Sequence, residues 1–119
     1  MKYLLLIHQV DTPTPRDPEA WATLSPDEQK AVFADYQAIN QTAGVTPGLG
    51  LDAPETATTV RVEDGRTLTT DGPFVAVKEA LGGWLVYDAD DLDAAIELAS
   101  RIPAARLGGA IEIRPIVEY

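Results

Sequence analysis

The sequence predicts an α+β fold, and three observations carry that prediction. The opening segment, Met1 to Val10, alternates apolar side chains onto both faces of a strand. Two segments with capping residues at their starts, one after Ser25 and one after Asp91, repeat apolar residues at helical spacing. Between them, Asp64-Gly65 separates two β-prone runs, the sequence form of a tight hairpin. A chain of 119 residues fits one domain and is long enough to bury a real core.

In chain order, Tyr3, Leu5 and Ile7 share one face of the first strand, and Leu4, Leu6, His8 and Val10 the other. Both faces are apolar, which predicts a central strand. Asp11 to Leu24 carries Pro13, Pro15 and Pro18 and reads as loop, with a single turn around Glu19 to Trp21. Ser25-Pro26-Asp27-Glu28 then starts a helix. Ser25 caps it, Pro26 occupies the first helical position, and Glu28 completes a capping box. Val32, Tyr36, Ile39 and Ala43 form its stripe, and Gly44 stops it.

Val45 to Leu51 is a short strand loosened by Pro47, Gly48 and Gly50. Thr56 to Glu63 and Arg66 to Thr70 are the arms of the hairpin, and Asp71-Gly72-Pro73-Phe74 is a turn in which Gly72 allows positive φ. Gly83 to Asp88 is a strand with Trp84 and Val86 on one face and Leu85 and Tyr87 on the other. Asp90 or Asp91 caps a second helix whose stripe is Leu92, Ala95, Ile96 and Ala99, and Pro103 ends it. Ala110 to Tyr119 closes the chain as a strand with Ile111, Ile113 and Val117 facing one way, and Pro115 marks an edge position or a bulge.

The order β-α-β-(hairpin)-β-α-β suits a ferredoxin-like split β-α-β arrangement with an inserted hairpin. Two helices cover one face of such a sheet, and nothing in the chain is left to cover the other. A second copy is the simplest cover.

Composition removes several function classes. Without cysteine there is no disulfide, thiolate metal site or iron–sulfur cluster. The formal charge of −10, from 19 acidic and 9 scattered basic residues, disfavours nucleic acid and anionic membranes. The apolar run at the start is too short for a signal peptide, and no stretch approaches the roughly 20 apolar residues of a membrane span. A cytoplasmic location is expected.

Two motifs resolve into structure. Gly48-Leu49-Gly50-Leu51-Asp52-Ala53 has the form G-x-G-x-x-A, but Pro54 and a strand follow where a dinucleotide site needs a helix. Asp88, Asp90, Asp91 and Asp93 lack the ligand spacing and glycine of a calcium loop and read as helix capping. With one histidine and no cysteine, no metal or cofactor is expected.

Two features carry chemistry. His8, the lone histidine, is the one side chain whose ordinary pKa lies near neutrality. The segment from Thr70 to Trp84 holds Asp71-Gly72-Pro73-Phe74, then Lys78-Glu79, then Gly82-Gly83, a double glycine that lets a chain or ligand approach closely. Within the turn, Asp71 is suited to accept from backbone amides, so Asp71 and Lys78 read first as architecture.

Those elements, with Asp90-Asp91-Leu92, the opening Met1-Lys2-Tyr3-Leu4-Leu5-Leu6-Ile7 and the ending Ile111-Glu112-Ile113-Arg114-Pro115, resemble the YCII-related family in its DGPF-motif branch across nearly the whole chain. The resemblance implies a dimeric α+β barrel in which two ferredoxin-like sheets enclose a central cleft. The family is mostly of unassigned function, its DGPF members often accompany extracytoplasmic-function sigma factors, and some relatives are dehydrochlorinases or lyase-like enzymes using a His–Asp pair. The leading expectation is a homodimeric small-molecule-binding or sensing domain. The alternatives are a lyase or isomerase with His8 as base and Asp71 orienting it, and a protein-interaction module. Tyr36, Phe74, Lys78 and Trp84 are the candidate ligand-binding side chains.

Overall fold

A computed structural model of the chain describes residues 1–9, 11–73 and 81–119. The elements are β1 (Lys2–His8), α1 (Pro18–Trp21), α2 (Pro26–Asn40), β2 (Val45–Gly50), β3 (Thr58–Glu63), β4 (Arg66–Asp71), β5 (Leu81–Asp88), α3 (Leu92–Ser100) and β6 (Ala110–Pro115), with short 3-10 turns at Pro54–Thr56 and Pro103–Ala105. Four strands form one antiparallel sheet in the order β2-β5-β1-β6, and β3 and β4 form a separate hairpin. The mixed α+β class predicted from periodicity is the class observed.

Local chemistry sets the ends of these elements. Ser25 Oγ accepts from the Glu28 amide at 3.1 Å while Glu28 Oε1 accepts from the Ser25 amide at 2.9 Å, so the predicted capping box closes both ways. Asp91 Oδ1 accepts from the Ala94 amide at 2.9 Å, which settles the cap of α3 on Asp91. α2 ends at Asn40 with Gln41 as a right-handed C-cap, earlier than the expected stop at Gly44, and Gly44, with φ +89°, instead turns the chain into β2. Asp64 and Gly65 both have positive φ, the twist of a two-residue hairpin turn. Gly72 has φ +100°, as its turn required.

Register assigns the two faces of the main sheet. Tyr3 pairs with Tyr87, Leu5 with Leu85 and Ile113, and Ile7 with Gly83 and Ile111, and this face packs on the helices. Leu5, Ile39, Leu98 and Ile102 are fully buried there. Leu4 pairs with Val86 and Leu6 with Trp84 on the opposite face, where no helix lies among the described residues. Strand β1 is central as predicted, and β6, which carries Pro115, is an edge strand.

The stripe of α3 differs from the expected one. Ala95, Leu98 and Ala99 are buried, whereas Leu92 and Ile96 are half exposed. Two alanines let the helix sit close to the sheet, and Leu98 then fills the core more deeply than Leu92 or Ile96 would from the next row. Ala43 lies beyond the end of α2 and is exposed, and Val117 lies beyond β6.

The chain is flat and open, with extents of 51 × 42 × 19 Å. A thickness of 19 Å is one sheet and one helix layer. The radius of gyration is 16.1 Å, against about 13.5 Å for a compact chain of this length. The hairpin accounts for part of the excess, since every residue of β3 and β4 except Thr59 is exposed. Its base is tied by the Gly72 amide to the Ala57 carbonyl at 2.6 Å and by the Thr59 hydroxyl to the Gly72 carbonyl at 2.8 Å.

Candidate functional site

A cavity of about 290 Å³ lies at one end of the main sheet on its helix-covered side. Its floor is Ile7, Gly83 and Leu85. One wall is the Val32, Tyr36, Asn40 row of α2, three residues at i, i+4 and i+8 that helical geometry stacks on one face. The opposite wall is the stretch from Thr12 to Arg16 and Trp21 of α1.

Sequence detail explains why a cavity persists here. The double glycine leaves space that neighbouring side chains and the ligand-sized gap both use. A Cβ at Gly82 would run into Gln9 Oε1, so the Gln9 side chain lies across that position. From there Gln9 Nε2 donates to the Tyr36 hydroxyl at 3.3 Å. Gly83, opposite Ile7, adds no side chain to the floor.

The proline-rich wall is pinned to α2. Gln29 Nε2 donates to the Trp21 carbonyl at 3.0 Å and the Leu24 carbonyl at 3.3 Å. The Trp21 ring meets Phe33 edge-on, with centroids 5.5 Å apart. Asp17 Oδ1 accepts from the Ala20 amide at 3.3 Å and starts the short α1 turn. At the β2 edge the ladder bulges: Pro47 pairs with Leu85 and Gly50 with Gly83, so Gly48 and Leu49 both oppose Trp84. The Trp84 ring lies against Gly48 there.

Burial pushes the Tyr36 phenol above its ordinary pKa, against the opposing effects of the Gln9 hydrogen bond and the Arg106 charge. Tyr36 is therefore a neutral phenol at neutral pH, able to donate or accept a hydrogen bond. The cavity thus combines apolar and aromatic walls with a phenol, two carboxamides (Gln9 and Asn40) and one guanidinium (Arg16). Groups of these kinds can hold and orient a small molecule. Among the described residues, the cavity wall includes neither His8 nor a carboxylate that could act as base.

The predicted site residues are distributed as follows. Tyr36 lines the cavity, and Trp84, on the opposite face of the sheet from Leu85, borders it at the β2 bulge beside Gly48. Phe74 and Lys78 lie outside the described residues. His8 sits at the end of β1 on the uncovered face, where its Nε2 is 3.2 Å from Glu112 Oε1. Glu112 also accepts from Arg114 Nε at 2.7 Å, and these two hydrogen bonds, that of Arg114 first, hold its carboxyl below the usual range. Asp71 is exposed at the end of β4, and among the described residues its side chain bonds neither His8 nor the amides of its turn. Among the described residues, the carboxylate that meets His8 is Glu112. The residues that sequence reasoning missed are Gln9, Arg16, Trp21 and Asn40. The signal for Arg16 and Trp21 was the stretch from Asp11 to Leu24, whose length reaches the roughly 12–15 residues at which loops are usually functional, whereas Gln9 and Asn40 lie outside it.

Among the described residues, no three His, Cys, Asp or Glu side chains gather into a metal-holding group, and no helix is long and apolar enough to cross a membrane.

Comparison with known proteins gives a family and two relatives. The family model for the YCII-related domain matches residues 1–119. An uncharacterized protein of Rhizobium meliloti (strain 1021) is 32% identical over 124 residues, covering 100% of this chain and 94% of the relative. Among solved structures, the chain is similar to 5-chloro-2-hydroxyhydroquinone dehydrochlorinase from Burkholderia phenoliruptrix AC1100, in complex with 2,5-dihydroxybenzoquinone. That similarity has a TM-score of 0.49 and 15% identity, over 100% of this chain and 96% of the other.

Proposed function

The chain belongs to the YCII-related domain family, and from its geometry we propose that it is a homodimeric small-molecule-binding domain that takes its ligand in the cavity beneath α2. The observation that carries the reading is the cavity itself. It is walled by Trp21, Tyr36 and the proline-rich loop, and its polar groups suit recognition more than bond-making. A thermal-shift screen of small metabolites tests it. A ligand present at 100 times its Kd should stabilise by about 2.7 kcal/mol, or roughly 11 °C at about 2.1 cal/mol/K of unfolding entropy per residue. A blank screen across acids, amines, sugars and aromatic compounds would refute it.

The dimer rests on surface area and strand order. The chain exposes 8034 Å², whereas a compact monomer of its mass exposes about 6,300 Å². The excess, about 1,700 Å², is twice the roughly 800 Å² per partner of a standard interface. Leu4, Leu6 and Val86 stand on the uncovered face, and Val60, Val62 and Leu68 are exposed on a hairpin that would be marginal alone. The strand order β2-β5-β1-β6 supports reading the sheet as a ferredoxin-like split β-α-β arrangement. Two such sheets packed through their open faces would make the α+β barrel. Sedimentation at micromolar concentration should give about twice the 12.8 kDa chain mass, and Leu6→Glu should give a monomer. A wild-type monomer would refute the dimer.

A second reading is favoured by the His8–Glu112 contact. A histidine oriented by a carboxylate on the face that would become the inter-sheet cleft is suited to proton abstraction, as in a lyase or isomerase. Turnover of small hydroxylated or halogenated acids, followed by NMR and abolished in His8→Asn, would establish it. Binding without turnover favours the binding domain.

A further inference from the structure

We propose that the ligand of this cavity is a small aromatic carboxylate whose carboxylate is held by Arg16, an assignment that rests on the small-molecule reading above. Three observations point to it.

The first is charge. In a chain with 19 acidic and 9 basic residues, the cavity wall holds, among the described residues, Arg16 and neither Asp nor Glu. Elsewhere Arg61 meets Glu63, Arg101 meets Glu97, Arg106 meets Asp35 at 2.7 Å and Arg114 meets Glu112, while Arg66, exposed on the hairpin, forms no ion pair among the described residues. No ion pair to Arg16 forms among the described residues. A guanidinium presents a planar fork of N–H donors that matches a carboxylate with two parallel hydrogen bonds.

The second is placement. A Cβ built on Gly50 would meet only Arg16 Nη2, at 3.0 Å, so the guanidinium lies against the bare backbone of β2 at the cavity's edge. The third is shape and lining. A volume of about 290 Å³ lies at the bottom of the roughly 300–1,000 Å³ range of ligand pockets, which suits a ligand of one ring. Trp21 and Tyr36 offer aromatic surface to such a ring. The Tyr36 hydroxyl and the Asn40 amide can meet a polar ring substituent away from Arg16.

The test is calorimetric titration with benzoate, its neutral isostere benzamide, and acetate, which has the charge without the ring. Trp21 emission is followed in parallel in Trp84→Phe, which leaves Trp21 as the sole tryptophan. We expect benzoate to bind at least tenfold more tightly than either control. Arg16→Gln should erase that preference, and Arg16→Lys, which keeps the charge and loses the fork, should retain part of it. Circular dichroism checks that both variants fold. Benzamide binding as tightly as benzoate, or a preference that survives Arg16→Gln, overturns the carboxylate assignment and leaves the cavity reading intact. Acetate binding as tightly as benzoate overturns the aromatic part. If no probe gives heat or alters Trp21 emission, the assignment fails, and a blank metabolite screen would then take the small-molecule reading with it.

Discussion

Replacing Gly48 with alanine tests the packing that holds Trp84 at the β2 bulge. The added Cβ would run into the Trp84 carbonyl oxygen and would stand 2.6 Å from ring atoms Cδ2 and Cε3. The ring could swing away, but the carbonyl belongs to β5, and moving it disturbs the pairing of β2 with β5. Overpacking of this kind costs about 1–3 kcal/mol. Stiffening the unfolded chain by Gly→Ala offsets about 0.4–1 kcal/mol of that. A net loss of about 1–2 kcal/mol, over an unfolding entropy of about 250 cal/mol/K for this length, lowers Tm by roughly 4–8 °C. Gly50→Ala is the internal control. Its Cβ meets only the end of the flexible Arg16 side chain, so the unfolded-state effect should win and Tm should hold or rise slightly. Thermal melts by circular dichroism at one protein concentration, with Trp84 emission recorded in Trp21→Phe, read both effects. Equal melting temperatures for the two variants, with unshifted Trp84 emission, would refute the close packing of Trp84 on Gly48.

Ser25→Ala removes one half of the capping box on α2 and should cost about 1 kcal/mol, near 4 °C in the same melts. The depressed carboxyl of Glu112 makes a contribution to stability that is present above the ordinary carboxylate value, about 4.3, and is lost as pH falls through the folded value. Acid titrations monitored by urea midpoint should therefore flatten in Glu112→Gln over that window. The raised phenol of Tyr36 works in the other direction. Its contribution is present below about pH 10 and is lost as pH climbs through the folded value, so Tyr36→Phe should blunt the alkaline loss of stability measured the same way.

Much of the fold was legible because its signals are local. Ser25, Pro26 and Glu28 satisfy the first amides of a helix through atoms three residues apart, so no distant contact is needed to read them. Asp64-Gly65 adopts positive φ because few other pairs do so without strain, and the hairpin register follows from the turn. The alternation in β1 sorted Leu4, Leu6 and His8 from Tyr3, Leu5 and Ile7 correctly, since a strand's period admits no other choice. The stripe of α3 was less determined. Leu92 and Ile96 satisfy helical spacing as well as Leu98 does, and the choice between rows depended on how closely the sheet could approach Ala95 and Ala99.

The candidate site was legible only in part. Composition and pattern alone determined the α+β class, the starts of the two longer helices, the central place of β1 and the absence of cysteine chemistry. They also marked Tyr36, Trp84 and the double glycine as residues of interest. Tertiary structure decided which of these meet. It brought Gln9 across Gly82 to Tyr36, folded the proline-rich loop over the Val32–Tyr36–Asn40 row, and set Arg16 beside Gly50. It also placed Glu112, more than a hundred residues away in the chain, at the ring of His8, and left Asp71 on the hairpin. Residues in a cavity or a polar pair come from strands and loops far apart in sequence, and their meeting depends on sheet order and on the direction of each side chain. Neither quantity is encoded in any short window of residues, whereas caps, turns and periodicity are.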